Sequence, residues 1–341
     1  MEPEAVIEAR DLRKWYPVHR NSVANLLSRR EPEFVKAVDG VSLAIGAGEI
    51  LGLVGESGSG KSTTGMTLLK LHAPSAGEIS FRGLGLLANE TRRTRLAFRR
   101  QAQIVFQNPY EALNTRYSVE QSVGEPLAIH FRGQPALQRE MLLRAMERAG
   151  LRPVGNYLGR YPHQLSGGQL QRVAIARAIS VEPRFLVADE PVSMLDVSIR
   201  AGILNLLRNF ASELGMAILY ISHDLSTMRH VCTRIAVMYL GEMVEIADNR
   251  DLFFDPQHPY TKALLSAAPT LEVKPFNAGD FLLEGEPPSP IDIPAGCSFA
   301  SRCPKVFGRC RVETPRLLEH LPGRYAACHL LDKAEAEVTA A

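Results

Sequence analysis

The sequence predicts an α/β fold in which a buried parallel sheet carries its chemistry on the loops that follow its strands. Three observations predict it. Short apolar runs at Ile50–Val54, Phe185–Ala188 and Ala217–Ile221 lack the alternation of half-exposed strands, as parallel strands covered on both faces do. A glycine-rich loop, Gly55 to Ser62, follows the first run, and an acidic pair, Asp189-Glu190, closes the second. Open α/β sheets bind ligands outside the carboxyl ends of their strands, which is where both features fall.

The elements follow in order. Ala5–Ala9 alternates, and Phe34–Ile45 is rich in alternating apolar residues, so both read as strands. His19–Glu33 between them is polar and basic and reads as an exposed loop. Glu49–Val54 runs straight into the glycine loop, a helix is expected over Lys61–Leu71, and Ser75-Ala76-Gly77 begins the next turn. Ser118–Gly150 has helical periodicity, opens on the capping pattern Ser118-Val119-Glu120-Gln121, and is interrupted at Gly133-Gln134-Pro135. This stretch reads as a helical subdomain, about 108–180, inserted in the α/β core. Ser166-Gly167-Gly168 opens a further helix through Ile179, with Arg172 and Arg177 on its surface.

Arg234–Tyr239 and Met243–Ile246 read as closing strands. Beyond Pro256 prolines become frequent and cysteines gather, which places a boundary near 266. The chain is therefore divided into a core, 1–265, and a small Cys-rich extension, 266–341. Its end, Glu335–Ala341, reads as a frayed tail.

At 341 residues the chain is long enough for one large domain and a smaller one. Its formal charge is only +2, with no basic block, which argues for a solvated mixed-sign surface and against a nucleic-acid partner. No stretch approaches the roughly 18 apolar residues of a spanning helix. The opening Met1-Glu2-Pro3-Glu4 is acidic and unlike a secretory signal. A cytoplasmic protein is expected, and work at a membrane would require recruitment by another subunit.

The glycine loop between strand and helix turns successive backbone N–H groups toward phosphate oxygens, with the helix N-terminus adding positive potential. Gly55, Gly58 and Gly60 permit the tight path, and Glu56, Ser57, Ser59 and Thr63 complete the cradle. Lys61 neutralises β- and γ-phosphate charge, and the Ser62 hydroxyl is placed for Mg²⁺. A glycine-rich turn by itself carries no chemistry; the strand before it and the helix after it make this one a nucleotide loop. Asp189 emerges at the end of its strand as the expected Mg²⁺ partner through water. Glu190 can take a proton from the attacking water.

With these motifs and Leu165-Ser166-Gly167-Gly168-Gln169, the chain from Tyr16 to His223 resembles the nucleotide-binding subunits of ABC transporters. The resemblance implies a P-loop NTPase fold with an antiparallel β subdomain and a helical subdomain. Tyr16, with Trp15 as the second choice, matches the aromatic that stacks on adenine. Gln107, in Val105-Phe106-Gln107-Asn108-Pro109, matches the glutamine that senses Mg²⁺ and water and relays to the membrane subunit. His223 matches the histidine that contacts the γ-phosphate. Ser193-Met194-Leu195-Asp196 matches the loop joining the two sites of a dimer, although the family more often has alanine where Met194 stands. The resemblance places Ser166, Gly167, Gly168 and Gln169 in trans, on the γ-phosphate held by an opposing chain. Each ATP would then be sandwiched in a head-to-tail dimer, with Lys61, Gln107, Glu190 and His223 catalytic in cis.

A narrower resemblance spans nearly the whole length. Pro109–Asn114, Val192–Ser198 and His258-Pro259-Tyr260-Thr261-Lys262-Ala263-Leu264-Leu265 are similar to the ATPase subunits of dipeptide and oligopeptide importers. Their relatives import nickel, glutathione or some oligosaccharides. The resemblance implies a heterodimer with a second ATPase, two membrane-spanning permeases, an extracytoplasmic solute-binding protein and a peripheral place on the cytoplasmic face of the membrane. A soluble ABC ATPase acting on nucleic acid or ribosomes is the rival reading. An exporter ATPase is a second rival, opposed by the missing spanning segment and by the His258–Leu265 motif.

Cys297, Cys303, Cys310 and Cys328 have five, six and seventeen residues between them, whereas residues 1–231 hold no cysteine. In a cytosolic protein such a cluster reads as metal ligands before disulfides. The paired spacing of zinc ribbons is absent, and Cys303-Pro304 is similar to the Cys-Pro that closes iron–sulfur loops. An iron–sulfur cluster, zinc and plain reduced thiols all remain open on the residues, with His329 a weaker alternative ligand. The importer resemblance implies a [4Fe–4S] cluster. Cys232 has no local partner and reads as a small buried residue.

Overall fold

A computed structural model of the chain describes residues 5–18, 33–85, 91–267, 281, 285–291 and 293–332. Most of the expected loop at His19–Glu33, and the tail Glu335–Ala341, lie outside the described residues.

Strands β1 (Ala5–Pro17), β2 (Phe34–Gly46) and β3 (Ile50–Val54) lead to helix α1 (Lys61–Leu68). Strands β4 (Ala76–Phe81) and β5 (Leu84–Gly85), helix α2 (Arg92–Gln101) and strand β6 (Ala102–Val105) follow. Helices α3 (Pro109–Ala112), α4 (Val119–His130), α5 (Pro135–Arg148) and α6 (Gly167–Ile179) come next. Then come β7 (Phe185–Asp189), α7 (Val197–Leu214), β8 (Ala217–Ile221), α8 (Leu225–Val231), β9 (Arg234–Tyr239) and β10 (Glu242–Asp248). The last elements are α9 (Asn249–Phe254), α10 (Pro259–Ala267), β11 (Leu318–Leu321) and β12 (Arg324–Ala326). A four-stranded sheet has the order β2-β1-β4-β5.

The residues group into two compact units. The first comprises Met1–Glu8, Ala44–Leu51 and Ser80–Ser222; the second comprises Ala9–Leu43, Gly52–Ile79 and His223–Ala341.

In the first unit β6, β7 and β8 run parallel, in registers such as Val105↔Ala188 and Asp189↔Ile221. Every residue of β7 and β8 is buried, which is why these segments read as continuous apolar runs. Helices α4, α5 and α6 pack on one another. Capping boxes start two of them. Ser118 Oγ accepts the Gln121 N–H while the Gln121 side chain accepts the Ser118 N–H, and Ser166 and Gln169 repeat the arrangement.

Helix α2 has no counterpart among the elements the sequence predicts. Its ten residues include five arginines and bury only Phe98, so they show no apolar stripe. The helix is held by a Thr91–Thr94 capping box and by an edge-on contact of Phe98 with Phe81, centroids 5.4 Å apart.

In the second unit β9 and β10 form an antiparallel pair, Met243↔Met238 to Asp248↔Arg234. The Cys-rich segment adds to this pair: β12 lies antiparallel to β10, with Ile246↔Tyr325 in register, and β11 pairs with β12. Glu245 on β10 is fully buried, and its carboxylate accepts the N–H groups of Gln257 (2.7 Å) and His258 (2.9 Å) just before α10. A carboxylate there answers orphan donors and the positive end of the helix dipole.

Candidate nucleotide-binding site

The glycine loop belongs to the second unit and joins β3 to α1. Gly60 adopts φ 104° directly before the helix. A Cβ there would stand 1.9 Å from the Ala37 carbonyl oxygen, and one at Gly55 would stand 2.1 Å from that of Met238. The loop therefore needs glycine at both positions for space, and at Gly60 for backbone angle as well. Lys61 is buried, and its ammonium donates to the carbonyls of Gly55 and Glu56, both at 2.8 Å. Ser62 is exposed at the start of α1, and Thr63 lies behind it with its carbonyl accepting from Thr67 Oγ1 at 2.7 Å.

Glu56 is tied from two directions that the sequence did not announce. Its N–H donates to Tyr260 Oη at 2.9 Å, and its carboxylate accepts from Arg302 Nη1 at 2.9 and 3.1 Å. Tyr260 stands in the His258–Leu265 motif, so a signal for it existed, although not for its partner. Arg302 follows Glu56 by 246 residues, and no local pattern pairs them.

Tyr16 lies near the end of β1 in this same unit, half-buried and edge-on to His72 with centroids 6.0 Å apart. The Lys14 ammonium is 4.8 Å from its ring centroid. Trp15 points to other partners: its indole N–H donates to Asp39 at 3.2 Å, and Lys36 sits 5.2 Å from its ring centroid.

The acidic group belongs to the first unit. Asp189 ends β7 and is 7% exposed, so its carboxylate reaches the strand's edge with little solvent around it. Glu190 takes a left-handed backbone, φ 46°, uncommon for a side chain of its size. Its N–H continues the ladder to the Ile221 carbonyl at 2.9 Å, and its own carbonyl accepts from Ser193 N–H (3.2 Å) and Ser193 Oγ (3.0 Å). These contacts hold a conformation that costs on the order of 1–3 kcal/mol and is typical of functional positions. The Glu190 carboxylate accepts from Gln107 Nε2 at 2.9 Å, which brings together two residues that are 83 apart in sequence.

Ser166 is the N-cap of α6, and Gln169 closes the box through its side chain, while Gly167 and Gly168 form the first turn. This is an anion-attracting helix start. Met194, 64% exposed, and Val197, 79% exposed, present apolar side chains on the loop that follows Glu190 and at the start of α7. In the second unit, exposed His223 opens the segment after β8, one residue before Asp224, the N-cap of α8.

The four clustered cysteines are free thiols. Cys297 N–H donates to the Cys310 carbonyl at 2.8 Å, which ties the two cysteine loops together. Burial pushes the Cys297 thiol up to about 11 and the Cys328 thiol up to about 12, and the other cysteines' charges add to both shifts. Among the described residues no three His, Cys, Asp or Glu side chains stand close enough to hold a metal ion. His329 turns elsewhere, with Nε2 2.9 Å from the Glu313 carbonyl and Nδ1 3.3 Å from Asp332. Cys232 is buried, and desolvation pushes its thiol far up, as a small packed residue requires. Among the described residues no helix is long and apolar enough to cross a membrane.

Comparison with known proteins agrees with these features. The family profile described as ABC transporter matches residues 38–193. One described as the C-terminal region of oligopeptide/dipeptide transporters matches residues 244–310. The chain is 46% identical over 303 residues to the putative oligopeptide transport ATP-binding protein YkfD of Bacillus subtilis, covering 88% of this chain and 91% of that one. It is 43% identical over 334 residues to the dipeptide transport ATP-binding protein DppF of Escherichia coli, covering 97% and 96%. Among solved structures, cbiO1 from Clostridium perfringens, part of the ABC transporter complex cbiONQ, matches with a TM-score of 0.62 at 26% identity. That match covers 76% of this chain and 95% of that one. The dimeric structure of MJ0796, a bacterial ABC transporter cassette, gives 0.60 at 29% identity, covering 72% and 99%.

Proposed function

The chain belongs to the ABC transporter family, among the ATP-binding subunits of oligopeptide and dipeptide type, and from that premise we propose that it hydrolyses ATP to drive uptake of di- and oligopeptides. The observation that carries hydrolysis is the Gln107–Glu190 hydrogen bond, in a chain whose glycine loop is intact. A carboxylate held beside a neutral amide can accept a proton from water that the amide helps to orient.

In this reading Gly55 to Thr63 cradle the phosphates, and the Lys61 ammonium leaves its carbonyl partners for β- and γ-phosphate oxygens. Tyr16 stacks on the adenine and His223 contacts the γ-phosphate. Ser62 and Asp189, with Gln107, offer hard oxygen donors, which suit Mg²⁺. Bound Mg²⁺ supplies neutralisation of phosphate charge, while Glu190 does the proton chemistry.

Ser166, Gly167, Gly168 and Gln169 act on the nucleotide of an opposing ATPase, and exposed Met194 and Val197 adjoin that contact. The dimeric form of MJ0796 supports the pairing. The opposing ATPase is a homologous second subunit, and the pair sits on two permeases at the cytoplasmic face, fed by an extracytoplasmic solute-binding protein. The match to the oligopeptide/dipeptide C-terminal region supports peptide over nickel, glutathione or oligosaccharide as the solute. ATP turnover of the detergent-purified complex, with peptide-loaded binding protein, tests the reading. Stimulation by short peptides is expected; turnover indifferent to any peptide but raised by another solute moves the assignment to that solute.

We propose a [4Fe–4S] cluster on Cys297, Cys303, Cys310 and Cys328. What supports the reading is in the sequence, four thiols within residues 297–328 and the Cys303-Pro304 step; among the described residues no group of three or more His, Cys, Asp or Glu is placed to hold a metal ion. Iron and acid-labile sulfide in anaerobically purified protein are expected; zinc alone, or neither element, overturns it.

A further inference from the structure

Arg302 reaches out of the cysteine-rich segment to the phosphate loop. It sits in a short turn, Ala300–Arg302, between Cys297 and Cys303, with Ala300 N–H donating to the Cys297 carbonyl at 2.9 Å and Arg302 N–H to the Phe299 carbonyl at 3.0 Å. Phe299, one turn before Arg302, is 1% exposed and packs 5.3 Å from the rings of both Tyr239 and Tyr260. Phe299 thus anchors the turn in an aromatic cluster, and the Arg302 side chain, 6% exposed, lies against Glu56. The guanidinium also donates to the Gly285 carbonyl at 3.0 Å.

Glu56 is the one carboxylate between Gly55 and Ser62. A free carboxylate at that place would oppose the phosphates the loop must hold, since like charges a few ångströms apart repel strongly where solvent is scarce. The Glu56 side chain is only 24% exposed, so water screens little of this charge. Arg302 neutralises it, and Tyr260 holds the Glu56 N–H while Lys61 holds the Glu56 carbonyl. Three attachments fix a single residue of the loop, and two of them come from beyond residue 255.

We infer that Arg302 is a positioning residue for nucleotide binding, which makes the Cys297–Cys303 turn part of the ATP site through Glu56. The inference rests on the ATPase reading above. Equilibrium ATP binding by the full chain, with steady-state turnover alongside, tests it. Arg302→Ala is expected to weaken ATP affinity about tenfold and to raise KM in proportion. Its kcat at saturating ATP should stay within about twofold, because Arg302 touches no reacting atom. The double variant Glu56→Gln/Arg302→Ala should recover most of the lost affinity, since the unpaired charge is gone; a turn that had merely collapsed would not be rescued. Arg302→Lys should fall between wild type and Arg302→Ala, keeping the charge without the forked contact. Wild-type affinity in Arg302→Ala overturns the inference, as does a double variant no better than Arg302→Ala. A wild-type chain that binds no ATP overturns the ATPase reading itself.

Discussion

The Gln107 side-chain amide donates to the Glu190 carboxylate at 2.9 Å, across the ends of two neighbouring parallel strands. The contact holds the Glu190 carboxylate at Oε2, on a residue whose backbone is left-handed at φ 46°. Glu190→Gln is therefore expected to bind ATP as wild type does and to lose at least about a hundredfold in hydrolysis, the scale of a missing general base. Near-normal turnover by this variant removes Glu190 from the proton transfer. Gln107→Ala should cost about tenfold in kcat, the value of one hydrogen bond to a charged group. Parallel nucleotide titrations and turnover assays separate these effects.

Gly60→Ala should fail earlier, at binding. The new methyl would meet the Ala37 carbonyl at 1.9 Å in a backbone region that alanine avoids. The loop must shift, and thermal stability should fall with it by on the order of 1 kcal/mol or more. ATP-induced elevation of Tm should be lost. A variant that still gains its full Tm shift with ATP would show that the loop tolerates another path.

Much of this site is legible in sequence because its parts are local. Gly55 to Ser62 is one loop, Ser166 and Gln169 form one capping box, and Asp189 ends a five-residue strand whose apolar run announces burial on both faces. The fold's parallel strands are readable for the same reason. Helix α2 is not, because Phe98 is its one buried residue and its arginines mimic a loop. Glu56 escapes in another way. Its role as a loop donor is written in the motif, but its partners Tyr260 and Arg302 are chosen by the tertiary fold, which no spacing encodes. The cysteines show their clustering and not its geometry, since backbone ties such as Cys297 N–H to the Cys310 carbonyl decide how near the thiols come.

His258 predicts a pH effect on stability. Burial holds its imidazole pKa down at about 3, against an ordinary 6.5, and its neutral Nδ1 accepts the Tyr260 N–H at 3.0 Å. The unfolded chain takes up a proton below pH 6.5 that the folded chain refuses until about pH 3. Its contribution is therefore complete above 6.5 and shrinks as the pH falls toward 3, by about 2 kcal/mol at pH 5. Glu245 pulls the other way, because burial raises its pKa and the folded state holds that proton more tightly as pH falls. Urea midpoints of wild type and His258→Gln at pH 7.5 and about 5 isolate the histidine. The wild type should lose more stability on acidification than the variant; equal losses contradict a neutral, buried His258.

On the proposed function, Ser166 and its helix serve the nucleotide of an opposing chain, so that turnover requires two protomers. Turnover per protomer, measured across dilution with and without the second ATPase, tests this most directly. The expected result is turnover that vanishes on dilution, returns with the partner, and is abolished at the partner's nucleotide by Ser166→Arg. Turnover that is constant on dilution and untouched by that substitution contradicts it.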